Sequence, residues 1–159
     1  MRIHSTLAVA LAAMIAGGAA QADVKGAAQT FLQEGVAAIG AKKFAEAHTK
    51  FKQSAAAAAE DVSHQDEIIA WISRALAAEG KVDEARKSLQ AALAKRPSAP
   101  VAAELGRSYL QYQPVDTKAA ITFLLSVIDE KKGGYGAKHS EPWLVLGKAY
   151  VVDTQYASA

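Results

Sequence analysis

A small residue recurs along this chain inside otherwise apolar patterns, at Gly35, Ser73, Gly106 and Gly147, with separations of 38, 33 and 41 residues. Recurrence at this length limits the fold, because a unit of that size makes one pair of helices and cannot bury both of its faces alone. The clearest unit runs from Asp66 to Pro97. Ile69, Ile72, Ser73 and Leu76 recur at helical spacing, and Gly80 supplies a residue tolerant of the left-handed conformation that ends many helices. Asp83 and Glu84 then suit the positive end of a second helix, whose Val82, Ala85, Leu89, Ala92 and Leu93 share one face before Pro97 stops it.

Related spacings define three further units. Phe31 and Gly35 precede Phe44, Ala47, Phe51 and Ser54, with Phe44 and Ala47 separated like Val82 and Ala85. Leu105-Gly106-x-x-Tyr109 precedes Ala120-x-x-x-Leu124 across a turn about two residues longer, containing Gln113-Pro114-Val115-Asp116. The last unit reads Trp143-x-x-Leu146-Gly147-x-x-Tyr150. Insertions are expected at Val62 to Gln65 and at Lys131 to His139, where Gly133-Gly134-Tyr135-Gly136 reads as a turn-forming loop. Abundant alanine and the lack of alternating β-branched runs favour helix throughout.

The Trp143 unit matches the first-helix pattern W-x-x-L-G-x-x-Y of tetratricopeptide repeats, and Ala85-x-x-x-Leu89 followed by Pro97 resembles the second half. The resemblance spans about Ala27 to the C-terminus. It implies an all-α solenoid of about three and a half helix hairpins, in approximate units 28–61, 66–99, 99–132 and an incomplete 140–159. Gly35, Gly106 and Gly147 would then let helices approach Ala47, Ala85 and their neighbours, while Phe31, Phe44, Phe51, Leu76, Leu89, Tyr109, Leu124 and Trp143 fill the spaces between. Tyr156-Ala157 repeats the aromatic-x-x-Ala spacing only in part, and apolar Val151 and Val152 suit an outer cap poorly. A chain that continues beyond Ala159 is therefore expected over a terminal capping helix.

The first twenty-two residues point to export. Arg2 and His4 precede an apolar run from Leu7 to Ile15, Gly17 and Gly18 break it, and Ala20-Gln21-Ala22 supplies a small-x-small cleavage pattern before Asp23. Nine apolar residues are too few for a membrane span of about 20. Without cysteine there is neither a lipid-anchoring thiol at the cleavage site nor a disulfide framework. Residues 23–159 carry 17 basic and 16 acidic side chains, a balance that argues against a nucleic-acid-binding face.

In the tetratricopeptide resemblance, the residue after each small position projects into a concave groove; here these are Val36, Arg74, Arg107 and Lys148. One turn further lie Ile39, Ala77, Leu110 and Val151. A basic row beside an apolar row suits a protein or peptide with acidic groups and hydrophobic anchors. The carboxylate clamp of some members uses asparagine, which this sequence lacks altogether.

Enzyme constellations are missing as patterns: there is no cysteine nucleophile, phosphate-binding glycine loop or H-E-x-x-H motif. His48, His64 and His139 have no recurring nucleophile or carboxylate partners, so neither cofactor nor metal is expected. The leading expectation is an exported, periplasmic interaction scaffold in cell-envelope assembly, secretion or export. A docking portion of a larger exported enzyme, or an oligomerisation array, are the other readings; partner and oligomeric state stay open. Mass spectrometry of protein recovered from a bacterial periplasm is expected to find Asp23 at the N-terminus, and a bulky residue at Ala22 to block processing. Intact Met1 in the membrane pellet contradicts that cleavage.

Overall fold

A computed structural model describes residues 25–129, 134 and 136–157. The leader, its cleavage site and residues 130–133 and 135 of the loop before His139 lie outside them. The described chain is all-helical: α1 (25–40), α2 (Phe44–Ala57), α3 (Val62–Ala78), α4 (Val82–Lys95), α5 (Ala99–Gln111), α6 (Thr117–Ile128) and α7 (Ser140–Ala157), with a 3-10 turn at Gly136–Lys138. It divides near Val62 into two compact units, one holding α1 and α2 and the other α3 to α7.

In the first unit, α1 and α2 meet where a side chain is missing. A Cβ placed on Gly35 would stand 2.5 Å from the Phe51 ring, so only glycine lets the fully buried ring lie against the α1 backbone. Ser54 Oγ donates to the Ala28 carbonyl at 2.7 Å and closes the other end of the pair. The turn between them is made by Lys42 at φ 58°, whose N–H donates to Ile39 O while Lys43 N–H donates to Ala38 O. This is a Schellman stop, built on a lysine where glycine is the usual choice.

The second unit repeats the device. Gly80, at φ 83°, donates to Ala77 O and Lys81 to Leu76 O, seven residues after Ser73 as Lys42 is seven after Gly35. Leu89 lies sixteen residues beyond Ser73, as Phe51 does beyond Gly35, and is fully buried with Val101 and Leu105. Ile69, Leu93, Tyr109 and Phe123 pack around these three. Gly106 repeats the close approach, because a Cβ there would come within 2.7 Å of the fully buried Leu124 side chain. Leu124 in turn packs with Ala103, Ile128, Val145 and Leu146, so that α7 lies against both α5 and α6.

The α5–α6 connection departs from the short turns. Asp116 caps α6 by accepting from Ala119 N–H at 2.8 Å, and Ser98 caps α5 with Val101 N–H, leaving Pro100 in a first turn where its missing donor is harmless. Arg86, buried on α4, sends one Nη to the carbonyls of Ser108, Tyr112 and Pro114 and stacks over the Tyr109 ring at 4.6 Å. Arg96 at the end of α4 forms a bidentate pair with Asp66 on α3.

Three sequence expectations change. Val62 to Gln65 is the first turn of α3, not an inserted connection, and His64 is helical with it. Trp143, expected to fill the space between helices, is 48% exposed, and Tyr150 of the same motif is 46% exposed. Gly147, expected at a close approach, has no atom within 4 Å of where its Cβ would stand. The reason is rotational: α7 buries Pro142, Val145, Leu146 and Ala149, which leaves the Trp143–Gly147–Tyr150 edge outside the packed core. Gly35→Ala is expected to lower stability by about 1–3 kcal/mol through overpacking against Phe51. Gly147→Ala is expected to raise it by up to about 1 kcal/mol through helix propensity. Denaturant titration of both variants checks the contrast.

Candidate partner-binding groove

The site begins with the composition of α7, which is apolar on two opposite faces. One face is the core-packed set Pro142, Val145, Leu146 and Ala149; the other carries Trp143, Leu144, Tyr150 and Val151, each between 46% and 62% exposed. A helix covered on one side by its own domain normally turns charged residues to water on the other. Here the outward face joins α5 to form an open groove of about 650 Å³, lined by Arg107, Leu110 and Gln111 from α5 and by Trp143, Leu144, Gly147, Lys148 and Val151 from α7. Its surface is predominantly apolar.

The indole of Trp143 is held in place while remaining exposed. Its Nε1–H donates to Gly136 O at 2.8 Å, so the polar atom is satisfied by the 3-10 turn and the ring presents carbon to the groove. A side chain fixed in this way loses little rotational freedom when something covers it.

Charge at the groove differs from a simple basic row. Arg74 and Arg107 converge on one carboxylate, that of Glu104, which is 2% exposed on α5. Arg74 donates at 2.6 Å and also lies over the Trp71 ring at 4.4 Å; Arg107 donates to the same oxygen from one turn further along α5. The hydrogen bond to Glu104 holds the Arg74 guanidinium above its ordinary pKa, against the opposing effect of burial. Burial, with a smaller contribution from Glu104, pushes the nearby Tyr112 phenol upward. Arg74 therefore ties α3 to α5, Arg107 pairs with the same carboxylate from within α5, and the summed charge of the three groups is one positive unit. Lys148 is exposed and makes no ion pair among the described residues.

Of the six residues assigned to partner binding from sequence, the groove brings together Arg107, Leu110, Lys148 and Val151. Arg74 stands beside them through Glu104. Ile39 is half-buried in the first unit, and Ala77 is buried. Among the repeat positions, Gly35, Ala47, Phe51, Ala85, Leu89 and Gly106 are buried, and Pro97 is exposed just beyond α4. Sequence reasoning missed Glu104 and Leu144. The first shares the i, i+3 spacing of a helical ion pair with Arg107, and the second adds to an apolar run from Trp143 to Leu146 too dense for a one-sided helix.

Among the described residues no group of three or more His, Cys, Asp or Glu could hold a metal ion, and no helix is long and apolar enough to cross a membrane. No family model, curated protein or solved structure matches this chain. Removing the shared carboxylate with Glu104→Gln leaves two guanidinium groups facing one another and is expected to cost about 3 kcal/mol, the low end for a broken buried pair because both arginines are partly exposed. Lys148→Gln is expected to stay within about 0.5 kcal/mol of the parent. Chemical denaturation distinguishes the two.

Proposed function

We propose that this protein is an exported helical-repeat adaptor that binds a protein segment in the groove between α5 and α7. The observation that carries this reading is the outward face of α7, where an anchored tryptophan, a leucine, a tyrosine and a valine stand exposed beside a groove with a cationic rim. Apolar area of this kind on one helix is what an interface uses as its centre, with charge confined to the edge. Arg107 and Lys148 at the rim favour a partner with acidic side chains around its apolar anchors. The groove is wide and open, which suits a helix or an extended segment laid along it more than a small molecule enclosed on all sides.

Two observations support the tetratricopeptide-like solenoid as the scaffold. The α1–α2 and α3–α4 hairpins share the spacing from small residue to left-handed turn and from small residue to buried Phe51 or Leu89. Gly106 and Leu124 repeat the same close approach in α5 and α6, two residues longer. The leader-like N-terminal sequence supports a periplasmic setting, and hence work in envelope assembly, secretion or export.

A photo-reactive phenylalanine analogue placed at Leu144 is expected to give discrete protein adducts in intact cells, while the same group at Lys87, exposed on α4, gives none. Lys148→Glu is expected to reduce the Leu144 adduct and to remove part of its salt dependence, because rim charges act over a screening length of about 8–10 Å. Equal labelling from both positions, or none from Leu144, contradicts the proposal.

A further inference from the structure

We propose that the occupant of the outer α7 face is a second copy of this chain, packed through its own α7 in antiparallel orientation. The inference rests on the reading of the α5–α7 groove as a protein-binding site and names its partner. Helical periodicity divides the exposed face into three strips. Trp143 and Gly147, four residues apart, form one edge; Leu144 and Val151 run along the middle; Glu141 and Lys148, seven residues apart, form the other edge.

A twofold axis that relates two antiparallel helices brings like edges together, so each edge must complement itself when reversed. Both edges do so in a single register. With the axis at Val145, Gly147 stands opposite the second copy's Trp143, two residues either side of the centre, and the relation holds twice. Gly147 offers the space: nothing lies within 4 Å of its Cβ position, whereas the corresponding positions at Gly35 and Gly106 are filled by Phe51 and Leu124. Trp143 offers the filler, an exposed ring already fixed through its hydrogen bond to Gly136.

The same register sets Glu141 within one residue of the second copy's Lys148 on the opposite edge, again twice. Within one copy these two side chains stand about 10.5 Å apart along the helix and cannot pair. Both are exposed, and neither makes an ion pair among the described residues. The 62% exposed Leu144 meets its counterpart next to the axis and closes the apolar centre. A foreign partner would demand a complementary surface; this one supplies both halves of its own complement, which a surface evolved for a different chain has no reason to do.

Sedimentation equilibrium of the purified full chain tests the register by charge exchange. The parent is expected to be dimeric at tens of micromolar. Lys148→Glu and Glu141→Lys are each expected to weaken association by about tenfold or more, and the double variant to recover most of it, because exchanged charges restore the pairs. Trp143→Ala is expected to be monomeric with unchanged helical circular dichroism. A monomeric parent, single reversals without effect, or a double variant no better than the singles overturns the proposal. The mass of the Leu144 photo-adduct separates the two levels of failure. An adduct of the chain with itself supports the dimer, and an adduct with a different protein overturns the second copy while keeping the groove as a binding site. Absence of any adduct overturns both.

Discussion

Everything in this fold depends on how closely two helices can come together at a residue with almost no side chain. The contact between the Gly35 backbone and the Phe51 ring, and that between Gly106 and Leu124, leave no room for even one methyl group. Dispersion and apolar burial are strongest where surfaces touch over their whole area, so each of these two glycines converts one large neighbour into a fully buried one. The spacing between small and large residue then fixes the length of the intervening turn. That is why the Schellman stops at Lys42 and Gly80 recur at one offset, and why the longer α5–α6 turn requires support from elsewhere.

Much of the helical organisation was legible in the sequence. The offsets around Gly35, Ser73 and Gly106 locate the hairpins, and Gly80 and Pro97 mark helix ends with local physics that tertiary context does not override. What could not be read was the rotation of α7. The string Trp143-x-x-Leu146-Gly147-x-x-Tyr150 contains two candidate faces, because Pro142, Val145 and Ala149 are as apolar as the tryptophan edge. Periodicity identifies a helix but cannot choose between two hydrophobic faces on it. The choice is made by the fit of Val145 and Leu146 against Leu124 and Ile128, which is a property of three helices together.

Electrostatics shows a similar division. A row of cationic residues at repeat spacing can be found by counting, yet counting does not reveal that Arg74 and Arg107 share Glu104. The buried carboxylate offsets one of the two guanidinium charges and, through Arg74, ties α3 to α5, so that long-range attraction is left mainly to Lys148. The groove is accordingly an apolar surface with a modest charged edge.

Arg86 carries a consequence for motion. By holding the carbonyls of Ser108, Tyr112 and Pro114 from α4, a single buried cation replaces the water that a long turn would otherwise recruit. Opening that turn would strand the guanidinium in an apolar setting beside Tyr109, so the segment cannot loosen without also displacing α4. The Asp116 N–H, which donates to Tyr109 O across this connection, should thus exchange with solvent at the pace of the flanking helices. The longest fully described link in the chain would belong to the slowest-opening cooperative block instead of fraying on its own.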